Sequence, residues 1–325
     1  FPEIEEKGGF IHVHPKSGTR GGLWFYSRLP FDLRRFPVDV FWSPNQLLPL
    51  FIPSWTKTVM TVHDFTYIKY PETMGRLSRW NLKWRGLSSI RRADLLVAVS
   101  ETTASDLREI AREGADIRVI PNGIDPEVYY PEATGEEILP GLGGAGYFLT
   151  VGSIEPRKNL GVVMDAYEVL FERTAGNCPR WVIVFSNTWG SEPLLHRMRE
   201  GKAAKGILMK RNATVDELRR LYSNAIALVF PSLYEGFGLP LVEAMACGCP
   251  VIASDIPVCR EVCQDAASYF KPLDKDEILS LMGKCRDKEI GIQFKKDYGY
   301  SRSSSFRWEK SSLEYFGVIS SLLQA

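Results

Sequence analysis

Two carboxylates, Glu235 and Glu243, bracket a glycine-rich loop in SLYEGFGLPLVEAMACGCPVIAS (232–254). Pro240 suits the first turn of a helix, where its missing N–H loses no bond. Gly236 and Gly238 let the backbone approach a ligand closely. The amides from Phe237 to Leu241 then leave a helix N-terminus, where free N–H groups and the helix dipole hold anions. Glu235 precedes that helix and Glu243 lies about one turn inside it. The eight-residue spacing thus puts a carboxylate on either side of an anion site. A diphosphate carrying a sugar at one end and a nucleoside at the other fits this layout. The plainer reading is a dipole-favoured helix glutamate and a solvated loop glutamate.

A second stretch, VGSIEPRKNL (151–160), follows a predicted strand and opens a predicted helix. Arg157 and Lys158 are adjacent cations at a helix start, where the dipole disfavours positive charge. An anion should compensate them, unless they are a solvated surface pair. GLGGAG (141–146) matches the dinucleotide fingerprint in spelling only. That motif must follow a strand and open a helix, and here it precedes the strand YFLTVG, so it reads as linker glycine.

These motifs sit in alternating text. KTVMTVHD (57–64), ADLLVAVS (93–100), IRVIPNGID (117–125), YFLTVG (147–152), WVIVFS (181–186) and AIALVFPS (225–232) read as strands. Between them, Leu160, Val163, Met164, Tyr167, Leu170 and Phe171 keep helical spacing. Thr214 and Glu217 form a capping box, and Ser100 is an N-cap candidate. The pattern predicts α/β architecture, two Rossmann-like domains with mostly parallel sheets facing a cleft. The expected division is 1–130, a linker 131–146, 147–305, and a last helix 306–325 placed to cross back to the first domain. Asp64, Ser100, Asn122, Ser153 and Glu235 all fall just past strand ends, where such sheets bind ligands.

The 325 residues, 45% hydrophobic and 24% charged, are those of a globular chain, and no segment is apolar enough to span a membrane. The net charge of +1 gives no global footprint for nucleic acid. Six cysteines do not read as a disulfide framework in a chain this long. Cys247, Cys249, Cys259 and Cys263 cluster, but without a nearby histidine they read as buried thiols, so no metal site is expected.

VGSIEPRKN together with PSLYEGFGLPLVEAMACGCPVIAS resembles the retaining, nucleotide-sugar-dependent glycosyltransferases of family 4, with the GT-B fold. VHDFTYIKYPETM, LLVAVSE, VIPNGID and SFRWEK are similar to that family's text, so the likeness runs from about Val38 to Trp308. The resemblance implies that Glu235 meets donor-sugar hydroxyls and Glu243 accepts from the ribose. It implies that Arg157 and Lys158 bind the diphosphate and stabilise the leaving nucleotide. Amides near Phe237, Gly238 and Leu239 would hold sugar and phosphate, Ser153 would line the donor, and His63 would face the donor sugar. No metal or other cofactor is implied; the co-substrate is a nucleotide diphosphate sugar, GDP-mannose or a UDP-sugar. The partners implied are that donor and a glycan or lipid-linked acceptor.

The sequence departs from the family at Ser153, where many relatives have arginine, and at Lys210-Arg211, where glycine is common. The family's first strand and glycine-rich loop are not recognisable around GGFIHVHP, and the chain starts at Phe1 rather than Met. Either residues precede Phe1 in the natural protein or part of the acceptor side is missing.

RLSRWNLKWRGLSSIRR (76–92) is basic. Leu77, Trp80, Trp84 and Leu87 share a helical face, flanked by Arg76, Arg79, Lys83, Arg85, Arg91 and Arg92. The helix either lies on an anionic membrane surface or buries Trp80 and Trp84 in the core. A cytoplasmic, peripheral enzyme moving a hexose, mannose among the candidates, is the leading expectation. The rivals are a binding protein that has lost catalysis and another GT-B enzyme, a phosphorylase or an epimerase.

Overall fold

A computed structural model describes residues 3–7, 10–14, 21–73, 75–132, 138, 139, 141, 142 and 146–324. Strands β1 (Glu3–Lys7) and β2 (Phe10–His14) pair antiparallel with each other. Strands β3 (Val40–Ser43), β4 (Lys57–Val62), β5 (Leu95–Ala98) and β6 (Asp116–Val119) form a parallel sheet in that order. Every residue of β5 is buried. Short unbroken apolar runs of this kind are what a sheet covered on both faces requires. Strand β6 ends at Val119, ahead of Pro121, which has no N–H to offer the ladder, and of Asn122-Gly123.

The second sheet holds β7 (Tyr147–Val151), β8 (Arg180–Phe185), β9 (Ile207–Arg211), β10 (Ala227–Phe230), β11 (Val251–Ser254) and β12 (Ala267–Phe270). Its order is β12-β11-β10-β7-β8-β9, again parallel. The order reverses between β7 and β10. Connections leave these two neighbours in opposite directions, so a crevice opens beyond their carboxyl ends. The helix Leu160–Arg173 after β7 buries Leu160, Val163, Met164, Tyr167 and Leu170 against the sheet. The capping box of Thr214 and Glu217 is formed in both directions, and Ser100 accepts from the Thr103 amide. Of the linker glycines, Gly146 directly precedes β7; Gly143 and Gly144 lie outside the described residues, as do Gly8 and Gly9.

Two chain crossings join the halves, and they run side by side. Ile124 pairs with Arg307, its amide donating to Phe306 O at 2.9 Å. A Cβ on Gly123 would stand 2.2 Å from the Trp308 nitrogen, so only glycine lets the second crossing pass. Beyond that crossing the helix Trp308–Leu322 lies on the first sheet. Ile319 packs with Val59, Leu95, Val97 and Ile120, and the Tyr315 hydroxyl meets Thr61 Oγ1 at 3.0 Å.

Candidate active site

Both charged motifs lie at the reversal point of the second sheet. After β7 the chain makes a tight turn, Pro156–Lys158, ahead of the helix Leu160–Arg173. After β10 it runs through Ser232 to Gly238 and enters the helix Leu239–Ala246, with proline in its first turn. The two loops meet through charge. Arg157 Nη1 lies 2.9 Å from Glu235 Oε2, and Lys158 Nζ lies 2.5 Å from Glu235 Oε1. Arg157 Nη2 takes Glu155 Oε1 at 2.5 Å, and Ser232 Oγ donates to Glu235 Oε1 at 2.7 Å. The anions that Arg157 and Lys158 meet in the structure are thus Glu235 and Glu155.

All four charged side chains are nearly buried. Burial pushes the Glu235 carboxyl up, but Lys158, Arg157 and the Ser232 hydroxyl outweigh it and hold the group below the usual carboxylate range. Arg157 is pulled down by burial and more than restored by Glu235 and Glu155. Two buried cations and two buried anions balance one another. That is the condition under which such charges tolerate low dielectric.

Glu243 lies in the second turn of the helix Leu239–Ala246. The Tyr222 hydroxyl donates to Glu243 Oε2 at 2.8 Å. Tyr129, whose ring meets that of Tyr222 edge-on, bears on the same carboxylate. Burial raises the Glu243 pKa, and the two phenols only partly offset it. Gly238 caps the helix in the left-handed region at φ 92°. The Phe237 side chain faces inward, edge-on to Phe306 at 5.6 Å, so this residue can offer a ligand only its backbone. Leu239 is partly buried against the same core. Ser153 is half-buried just past β7.

Gly236 differs from its expected role. A Cβ there would lie 1.7 Å from His63 O, so its bareness serves the contact with the N-terminal half rather than a ligand. His63 itself is exposed past the end of β4, its Nε2 2.8 Å from Pro44 O. A carbonyl only accepts, so this nitrogen carries the proton. The structure therefore gathers Glu235, Arg157 and Lys158 into one network and seats His63 across the interface from Gly236. Glu243 stands apart on its helix, with its own phenol partners. Sequence reasoning missed Glu155, Ser232, Tyr129, Tyr222 and Tyr234. The spacing of Ser232 and Glu235, three residues apart past a strand end, was the one usable signal.

The basic stretch forms the helix Arg76–Asn81, a π-helical turn Leu82–Gly86 and the helix Leu87–Arg92. Trp80 and Trp84 are 63% and 61% exposed, so the core-helix alternative fails. The buried face is Gly86, Ser89 and Ile90, with Leu82 and Leu87 partly covered. The Arg76 and Leu77 side chains lie outside the described residues. All six cysteines are buried and unpaired, with burial pushing Cys247 and Cys263 up to about 12. Among the described residues no cluster could hold a metal ion, and no helix is long and apolar enough to cross a membrane.

A family model of glycosyl transferases group 1 matches residues 141–284, and one of glycosyltransferase family 4 matches residues 3–128. Among curated proteins, the chain is 28% identical over 293 residues to O-antigen chain mannosyltransferase B of Escherichia coli, covering 88% of this chain and 75% of that protein. Other mannosyltransferase relatives are longer, and the chain spans from 30% to 59% of their length. Among solved structures, sucrose-phosphate synthase of Thermosynechococcus elongatus superposes with a TM-score of 0.76 at 18% identity, over 100% of this chain and 86% of that one. Anabaena HepE, in complex with UDP and glucose, superposes at 0.67 and 18% identity, over 82% of this chain and 72% of that one. These likenesses give the GT-B fold.

Proposed function

The chain belongs to the glycosyltransferases of group 1 and family 4, and on that premise we propose that it moves mannose from a nucleotide diphosphate sugar to a glycan or lipid-linked acceptor. GDP-mannose is the first candidate donor and a UDP-sugar the second. The relatives named mannosyltransferases support the sugar, and the UDP-bound neighbour supports the donor class. Residues 147–305 would hold the donor and residues 1–130 the acceptor.

One observation carries the reading: Lys158 and Arg157 converge on Glu235 at the reversal point of the second sheet. In this proposal the incoming diphosphate takes the place of Glu235 on both cations. The displaced carboxylate then turns to the donor-sugar hydroxyls. Glu243 accepts from the ribose, and the amides at Gly238 and Leu239 receive phosphate oxygens. As the bond to the reacting carbon breaks, negative charge grows on the leaving phosphate. Fixed cations stabilise that charge without the reorganisation water would need. The pair would serve in place of a metal ion, and transfer would retain the anomeric configuration. The exposed Trp80 and Trp84, with Arg79 and Lys83 beside them, would hold the enzyme on the anionic inner face of a membrane.

The test is a thermal-shift panel of GDP-mannose, UDP-glucose and ADP-glucose. Nucleotide release is then followed with and without EDTA. A selective shift with GDP-mannose, and release that EDTA leaves intact, are expected. No shift with any donor would refute the donor site, and loss of activity restored by manganese would refute metal independence.

A further inference from the structure

The loop that carries Glu235 is tied to the other half of the molecule on both sides of that residue. Tyr234, immediately before it, is a residue of the C-terminal half buried in the hydrophobic cluster of the N-terminal half, beside Phe65 and Tyr67. Its hydroxyl accepts from the Phe65 amide at 3.0 Å and donates to Asp106 Oδ2 at 2.9 Å. Asp106 in turn pairs with Lys69, whose ammonium lies 5.2 Å from the Tyr234 ring centroid, and Tyr70 stacks on that ring at 5.9 Å. Gly236, immediately after Glu235, gives its carbonyl to Ser100 Oγ at 2.6 Å and to Thr103 Oγ1 at 3.0 Å. On its own side, Arg157 Nη1 also donates to Tyr234 O at 2.7 Å.

We propose that Tyr234 and Thr103 are positioning residues, which set Glu235 in place only while the two halves are in contact. This rests on the reading of Glu235 as the carboxylate that meets the donor sugar. A single residue between two anchored neighbours has little freedom to find another backbone position. The groups that hold Tyr234 and the Gly236 carbonyl, namely Phe65, Asp106, Ser100 and Thr103, belong to the N-terminal half, whereas Glu243 and its donor Tyr222 lie in the C-terminal half. Nucleotide binding and turnover should therefore respond differently when an anchor is lost. A purely structural role would lower stability without separating them.

The test uses Tyr234→Phe and Thr103→Val, with Glu235→Gln as reference. Affinity is measured by calorimetry with GDP, turnover as GDP release from GDP-mannose with water as acceptor, and folding by thermal denaturation. Tyr234→Phe keeps the buried ring and removes only the hydroxyl; Thr103→Val keeps the shape. Each should lower turnover roughly tenfold, since misplacing a reacting group by about 1 Å can cost about 100-fold. GDP affinity should stay within about twofold, a change of less than half a kcal/mol. Turnover unchanged in both variants while Glu235→Gln is inactive would sink the positioning role alone. Full turnover in Glu235→Gln would sink the reading of Glu235 on which it rests. GDP affinity falling in step with turnover would also overturn the proposal. If Tyr234→Phe does not fold, Thr103→Val decides.

Discussion

Glu243 and Glu235 are pushed in opposite directions by their surroundings. Burial holds the Glu243 pKa above the ordinary carboxylate value despite Tyr222 and Tyr129, whereas two cations hold that of Glu235 below it. The consequences for stability differ in sign. Glu235 stabilises the fold above the ordinary glutamate range, and that contribution is lost as pH falls through its depressed pKa. Glu243 contributes at low pH and loses its contribution as pH rises through its elevated pKa. In the proposed site Glu243 accepts from the ribose, and nucleotide binding would then add a second effect, because that role needs the charged form of the carboxyl. GDP affinity should fall as pH drops through the Glu243 pKa. Tyr222→Phe removes a donor to the charged form, so the fall should begin at higher pH, with a loss near neutrality of about 1–2 kcal/mol. Calorimetry with GDP between about pH 5 and pH 8 checks this. An identical pH profile in the variant would show that the phenol does not tune Glu243.

At the scale of elements, the helical stretch 76–92 shows where pattern reading fails. Two tryptophans and two leucines on one face look like a buried stripe. The face that packs is instead built from Gly86, Ser89 and Ile90, and small residues carry little weight in a hydrophobic pattern. A glycine there lets the helix sit close, with the Tyr67 hydroxyl only 3.3 Å from where a Cβ would stand. Because Trp80 and Trp84 are exposed, replacing both with alanine should leave stability within about 0.5 kcal/mol of wild type. The same double variant should lose affinity for anionic vesicles, and the wild type should release from them at high salt. A large fall in melting temperature with unchanged vesicle binding would point to a packing role. Elsewhere the elements were legible because local chemistry decides them. Capping at Ser100 and Thr214, the stripe of Leu160–Leu170 and the apolar runs of β5 and β10 needed no distant partner.

For the whole molecule, what the sequence could not disclose is contact between distant segments. Glu235 meets Lys158 across 77 residues, and the Tyr234 hydroxyl meets Asp106 across 128. No spacing rule reaches that far. Glu261 adds a further tie, accepting from the amides of Glu101 at 2.7 Å and Thr102 at 3.0 Å. A carboxylate from one half thus caps a helix of the other, where the dipole favours negative charge. Together with the paired crossings at Ile124 and Arg307, these contacts close the N-terminal half over the loop that bears Glu235. In the proposed mechanism a diphosphate displaces Glu235 from Lys158 and Arg157, and Lys158 then acts mainly on the charge of the departing phosphate. The most direct test is the initial rate of GDP release from GDP-mannose against donor concentration, for wild type and Lys158→Ala. In the proposed site Arg157 would remain to hold the donor, so kcat should fall by roughly 10²–10³-fold while KM changes far less. A variant with wild-type kcat and only a raised KM would contradict the account, since Lys158 would then bind ground and transition states alike.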